Sequence, residues 1–188
     1  IGLELFLMAK DPWRMVLSTD HPNGGSFMNY PRLIRLLMDR DFRKQEAAAV
    51  NQKALLSTSL LDLDREYSLN DIAIVTRAAP ARLLGLKHKG HLGVGADADI
   101  TIYDEQENIE EMFKTARYVL KDGQMFIKNH EFCADPVGRI FQVAPDYDKK
   151  IEDEIRPFFD QYYSVQFDNY PVFDTHVETE IVPTYPVQ

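Results

Sequence analysis

Two residue types that carry chemistry stand side by side at Asp20 and His21. They lie in the stretch Trp13-Arg14-Met15-Val16-Leu17-Ser18-Thr19-Asp20-His21-Pro22-Asn23-Gly24-Gly25. A carboxylate can bind a divalent metal, take a proton from water and return it to a leaving group. A neighbouring imidazole can share that work, orient the acid or touch a substrate, and a loop histidine bonded to backbone explains it equally well. Asn23 is a candidate substrate contact. Gly24 and Gly25 would let backbone approach a bound molecule, although a turn alone accounts for them.

The placement of these residues suggests how they are held. Met15, Val16 and Leu17 form a short uninterrupted apolar run, which suits a strand buried on both faces. Ser18 to His21 put polar groups where that strand should end, and Pro22-Asn23-Gly24-Gly25 forces a turn. In α/β barrels the chemistry sits at the C-terminal ends of strands. A strand followed by a plain polar loop fits the same letters. The other histidines with any pattern, His88 and His91, sit in a glycine-rich stretch far from Asp20 and read as structural. Cys133 has no partner motif.

The rest of the chain supplies helices first and strands later. Ile1 to Met8 is apolar and fits a strand or a helix end. Pro31 opens a predicted helix through Met38, with Leu33, Leu36 and Leu37 on one face. A second helix is predicted from about Phe42 to Leu56, packing through Ala47, Val50 and Ala54, with an acidic loop over Leu61 to Glu66. Ser68-Leu69-Asn70-Asp71 reads as a capping box opening a helix to Ala78. Pro80 should interrupt it, and Gly85 should stop the short helix that follows. From about residue 86 to 130 the pattern is that of a small β unit. Ala98 to Tyr103 alternates, and Asp122-Gly123 separates two apolar runs as a hairpin turn does. Gly90, Gly93 and Gly95 lack the nucleotide-loop spacing and precede a strand rather than a helix. After Glu131 comes a proline-rich tail. It carries a predicted helix from Asp148 to Phe159, interrupted near Pro157, and the aromatics Phe158, Phe159, Tyr162, Tyr163, Phe167, Tyr170 and Phe173. These would pack on a parent surface or dock a partner subunit.

Composition bounds the classes. The chain has 188 residues, 45% hydrophobic, with a formal charge of −9. That is enough for one sizeable core. The acidic balance argues against nucleic acid and anionic membrane as partners. One cysteine excludes an internal disulfide framework and fits a reducing cytoplasm. No apolar run reaches the length of a membrane span, and the opening Ile1–Met8 lacks the basic region of a signal peptide.

The order of motifs resembles the C-terminal part of the metal-dependent amidohydrolases. The residues that carry the resemblance are Ser18-Thr19-Asp20-His21, then Arg77 to Leu86, then Lys89-Gly90-His91-Leu92-Gly93-Val94-Gly95-Ala96-Asp97-Ala98-Asp99-Ile100, then the Asp122-Gly123 hairpin. A narrower resemblance is to the A-subunit family of formylmethanofuran dehydrogenase and of the methylotroph formyltransferase/hydrolase complex. It rests on Leu17 to Gly25, Asp64 to Leu69, and Thr76 to Ala81.

The resemblance implies a mixed fold: α/β plus β, the C-terminal piece of a (β/α)8 barrel followed by part of a small β-sandwich and a long tail. The implied divisions are 1–85 for the barrel part, 86–130 for the sandwich portion and 131–188 for the extension. It implies a binuclear divalent metal site, zinc for preference, in which Asp20 is the one ligand carried over. The family's His-x-His, lysine and later histidines have no counterpart among His21, His88, His91, His130 and His176. The chain is therefore expected to be a C-terminal fragment, inactive alone. The implied function is reversible formation and hydrolysis of an N-formyl amide from formate and a methanofuran-type amine. Asp20 is the catalytic residue so implied, with His21 beside it as a candidate catalytic residue and Asn23 as a candidate substrate contact. The implied partners are the remaining barrel, other subunits of the dehydrogenase complex, and the small-molecule formyl and amine substrates. An isolated fragment would self-associate through its unpaired apolar edge. A non-catalytic scaffold on the same fold, or an ordinary amidohydrolase acting on C–N bonds, are the alternatives.

Overall fold

The computed structural model describes residues 2–135, 138–143, 147–164, 167 and 178–182. The chain divides into two units, Ile1–Pro136 and Val137–Gln188.

The first unit begins as a helix rather than a strand, α1 over Gly2–Met8. Leu7 is buried, Leu3 and Phe6 pack on the core, and Leu5 and Met8 face outward. Glu4 ties α1 down by accepting the Thr58 hydroxyl and the Ser59 N–H, both at 2.7 Å.

The Met15–Leu17 run departs from its predicted form. It follows a single 3-10 turn at Pro12–Arg14 and is extended, but among the described residues no strand pairs with it. Nor is it buried on both faces. Met15 and Leu17 pack against the core while Val16 is exposed. A doubly buried strand needs neighbours on both edges, and pairing of that kind is not written in the run itself.

The helix predicted after Pro31 forms as α2, Tyr30–Met38, with Ile34 and Leu37 as its buried residues. The single helix expected over 42–56 is instead two: α3 over Arg40–Ala47 and α4 over Gln52–Leu55. Asn51 causes the break, because its side chain accepts the Lys53 N–H and caps a new start. Of the predicted packing residues Ala47 is buried, while Val50 and Ala54 are exposed. The acidic stretch near Leu61 opens with a 3-10 turn at Leu60–Asp62. Arg43 is buried at 3% exposure and donates to the carbonyls of Leu36 and Arg65, both at 2.8 Å. It thereby knots α2, α3 and the segment leading to Tyr67.

The capping box is present, with Ser68 and Asp71 bonding each other's backbone. It opens α5, Leu69–Ala73. Pro80 does not break the helical path. A π turn over Ile74–Ala78 widens the coil just before it, and α6 continues over Ala79–Leu83 with Pro80 in its first turn. A wide turn relieves the clash that a proline ring makes inside a regular helix. Gly85 ends α6 in the left-handed region, φ +72°. Gly85 N–H bonds Arg82 O at 3.2 Å and Leu86 N–H bonds Ala81 O at 2.9 Å, the pair of bonds of a Schellman stop.

The β unit is an antiparallel sheet in sequential order. Its strands are β1 Ile100–Ile102, β2 Tyr118–Lys121, β3 Gln124–Lys128 and β4 Glu131–Phe132. Asp122 and Gly123 both have positive φ and turn β2 into β3, as the sequence predicts. The predicted all-β stretch also contains a helix, α7 over Ile109–Lys114, capped by Asn108 and packed against α2. Its Ile109 and Phe113 reach the main core of Leu7, Ile34, Leu37, Tyr67, Ile72 and Val75.

In the second unit β5, Arg139–Val143, pairs in parallel with β6, Glu178–Val182. Helix α8 runs over Ile151–Tyr162 without the expected interruption. Pro157 lies inside it, where it forgoes its bond to the exposed residue Asp153. The aromatics of this helix pack on one another, mostly tilted or edge-on. Phe158 meets Tyr162 and Phe159 meets Tyr163, each with ring centres 4.6 Å apart. Tyr170 and Phe173 lie outside the described residues. Among the described residues no helix is long and apolar enough to cross a membrane.

Candidate functional site

The Asp20 turn is built locally. Asp20 takes φ +51°, a left-handed conformation that aspartate tolerates better than most residues. Its N–H reaches the Ser18 hydroxyl at 3.3 Å, and its carbonyl accepts the Gly24 N–H at 2.7 Å. Gly24 is required by this closure. A Cβ there would stand 2.8 Å from Asp20 Cβ and 2.9 Å from Thr19 O, closer than any side chain could be accommodated without movement. The His21–Pro22 peptide is cis.

Asp20, His21 and Asn23 are all exposed. His21 packs edge-on against Phe27, ring centres 4.8 Å apart. The turn is anchored to the unit through Leu17, whose N–H bonds Val75 O at 3.0 Å and whose carbonyl accepts the Tyr30 hydroxyl at 3.2 Å. Asp20 thus stands at the end of an extended run, on a closed turn, with its carboxylate open to a ligand.

Could these residues hold a metal? Asp20 fits as one ligand, being an exposed carboxylate on a closed turn. Among the described residues no further acid, histidine or cysteine gathers with it into a group of three, and a catalytic zinc site needs three protein ligands. A different acidic group, Asp97, Asp99 and Asp122, brings its oxygens within 4.8 Å of one another. A cation already serves it. Lys89 Nζ lies 2.8 Å from Asp99, 3.6 Å from Asp122 and also bonds Asp97, and Lys121 Nζ lies 2.9 Å from Asp99. Burial alone would raise the Asp99 pKa, but bonds from Lys89, the Asp122 N–H and Lys121 outweigh it and hold it down at about 2. Lys89 feels burial in the opposite sense, yet Asp97 and Asp99 carry its pKa well above the usual lysine range. The group is a staple. It ties the glycine-rich entry loop to β1 and to the β2–β3 turn.

The two histidines of that loop are structural, as the sequence suggests. His91 Nδ1 accepts the Gly93 N–H at 3.1 Å, which leaves Nε2 to donate to Lys87 O at 2.9 Å. His88 Nδ1 lies 3.0 Å from Gly95 O. Gly90, at φ +77°, presses so close to the helices that a Cβ would meet Ala81 Cβ at 2.6 Å and Arg77 O at 2.8 Å. Sequence reasoning misses the Lys89 staple, although Lys89, Asp97 and Asp99 all lie in the glycine-rich motif. It also misses the Leu17 anchors, for which no local signal exists.

The amidohydrolase family profile matches residues 3–127, two-thirds of the chain and all of the region just described. This chain belongs to the amidohydrolase family. Within the family it is similar to the A component of the formyltransferase/hydrolase complex Fhc of Methylorubrum extorquens, at 40% identity over 93% of this chain and 32% of that protein. It is also similar to protein FwdA of Methanocaldococcus jannaschii, at 41% identity over 95% of this chain and 34% of that protein. A crystal structure of the FhcABCD complex from M. extorquens with methylofuran contains a chain that superposes with TM-score 0.81 at 36% identity. That match covers 97% of this chain and 35% of the other. This amidohydrolase chain therefore spans about a third of the length of the relatives it matches. Enzymes of the family are generally metal-dependent, and the M. extorquens relative is a subunit of a formyltransferase/hydrolase complex.

Proposed function

We propose that this chain is the C-terminal part of an amidohydrolase-type subunit that hydrolyses, and in reverse forms, an N-formyl amide in one-carbon metabolism. The reading places the end of the barrel in residues 1–85, part of the sandwich in 86–130, and an extension toward other subunits in 131–188. The observation that carries it is that the closed Asp20 turn lies inside a region about 40% identical to the two relatives named above.

Asp20 is the catalytic carboxylate in this reading. It is also the ligand this chain supplies to a metal site whose other ligands come from the rest of the parent protein. The metal, zinc in this reading, supplies Lewis acidity toward the formyl carbonyl and the attacking water. Asp20 Oδ accepts the proton as water attacks the formyl carbon. It returns the proton to the amine nitrogen as the C–N bond breaks, leaving formate and a free amine. His21 stands beside it to orient the acid or meet substrate, and Asn23 is exposed in the same turn. The amine is of the methanofuran type, by similarity to the relative whose complex holds methylofuran. Alone, the chain is inactive, because one carboxylate and one imidazole do not complete the site.

The test is Asp20→Asn in the full-length parent protein. Asparagine keeps the size and a carbonyl oxygen but cannot serve as a base. Formate release should fall by about 10²- to 10⁴-fold with metal content retained and substrate binding little changed. Near-normal turnover in fully metallated Asp20→Asn protein would refute the assignment. His21→Ala should cost less.

A further inference from the structure

The helical turn that faces the Asp20 run is irregular in a way that serves the run. In a regular helix the Val75 carbonyl would accept the N–H of residue 79. Here Ala79 gives its N–H to Ile74 O instead, because Ile74–Ala78 is a π turn. In the π register Val75 O would turn to residue 80. Residue 80 is proline and has no N–H. Both intrahelical donors are thus withdrawn from a carbonyl on a fully buried residue, where an unmet acceptor is costly. The Leu17 N–H meets it at 3.0 Å. The Leu17 carbonyl is held in turn by the Tyr30 hydroxyl at 3.2 Å. Leu17 is therefore gripped at its N–H and at its C=O by two different helical elements, three residues before Asp20. No strand pairs with the Met15–Leu17 run among the described residues. Its placement rests on these two bonds and on the packing of Met15 and Leu17.

We propose that Pro80 and Tyr30 are positioning residues for Asp20. Pro80 withholds an N–H so that Val75 O stays available to Leu17, and Tyr30 fixes the other side of the same residue. Together they set where the Asp20 carboxylate stands. The proposal rests on the reading of Asp20 as the catalytic carboxylate.

The experiment uses the full-length parent protein with Pro80→Ala, Tyr30→Phe and Asp20→Asn prepared in parallel. Residue-resolved hydrogen exchange reads the Leu17 amide, and steady-state release of formate from N-formylmethylofuran reads function. Pro80→Ala restores a helical donor, so Val75 O should return to the helix. Leu17 exchange should rise by about tenfold or more while amides of α2 and the sheet are unchanged. Its kcat should fall by about 10- to 100-fold with KM within about twofold, because the carboxylate is misplaced rather than the substrate lost. Tyr30→Phe keeps the ring and loses one bond, so kcat should fall by about 2- to 10-fold. In both variants kcat should fall while KM and metal content hold, a split that a general structural loss would not produce.

Unchanged Leu17 exchange in Pro80→Ala overturns the proposal. So does raised exchange with kcat unchanged in both variants, since the anchor then positions nothing catalytic. Full activity in metallated Asp20→Asn overturns the functional reading and the positioning claim with it. Loss in Asp20→Asn alone overturns only the positioning claim.

Discussion

Replacing Arg43 by methionine should cost this chain about 3 kcal/mol of stability. Arg43 is 3% exposed, and its guanidinium donates at 2.8 Å to both Leu36 O and Arg65 O, with longer bonds to Leu37 O and Leu63 O. Hydrogen bonds from a charged group are worth about 1.5–3 kcal/mol each, so the two short ones give roughly 3–6. The long pair adds little. Against this stands relief from burying a cation, whose desolvation lowers the Arg43 pKa despite Glu66 and Asp39 nearby. Methionine fills much of the same volume, so the net loss is about 3 kcal/mol. For a protein of this size that lowers Tm by about 6–12 °C. The assay is thermal unfolding followed by far-ultraviolet circular dichroism at pH 7. Arg40→Met is the control, because Arg40 pairs with Asp64 at the surface and should contribute no more than about 1 kcal/mol. A drop below about 2 °C for Arg43→Met, or equal drops for both variants, would refute the claim that this buried arginine knots the helices.

Gly90→Ala should destabilise by about 2–4 kcal/mol, since it adds a left-handed alanine to a contact of 2.6 Å with Ala81 Cβ. Urea midpoints check this, and a neutral result would mean that the loop can lift off the helices at no cost. Acid should weaken the Lys89 staple. The Asp99 pKa is lowered from 3.8 to about 2, so its contribution is complete above about pH 4 and is lost as pH falls through about 2. That loss is about 2 kcal/mol, and Lys89→Met should flatten stability between pH 4 and 2. Zinc titrated into the 188-residue chain should bind at Asp20 only weakly and be removed by a mild chelator. Stoichiometric retention at Asp20 after dialysis would contradict the view that most ligands lie elsewhere in the parent protein.

Legibility in the sequence follows the range of the interaction. The Ser68–Asp71 box, the Gly85 stop and the Asp122-Gly123 turn are each decided within a few residues, and each forms where its letters lie. Pro80 misleads because a proline's clash can be relieved by a wider turn, and nothing local announces a π turn. Helix α7 escapes notice because six residues after Asn108 are too short to show a helical period against the strands on either side. The Met15–Leu17 run imitates a doubly buried strand because three apolar letters do not reveal whether both edges find partners. At the site the same division holds. Asp20, the turn and Gly24 are neighbours in sequence, so the closed turn can be read from its letters. The Leu17 anchors come from Tyr30 and Val75, and the Lys89 staple joins residues up to 33 positions apart, beyond any motif.

The central claim is that Asp20 supplies a metal-binding carboxylate to an amidohydrolase-type site. Anomalous diffraction from crystals of the full-length parent protein, recorded on both sides of the zinc absorption edge, tests it most directly. The account predicts an anomalous peak within coordination distance of Asp20 Oδ, about 2.0–2.2 Å, and none at Asp97, Asp99 and Asp122, where Lys89 stands. A peak among those three aspartates with none beside Asp20 would contradict it.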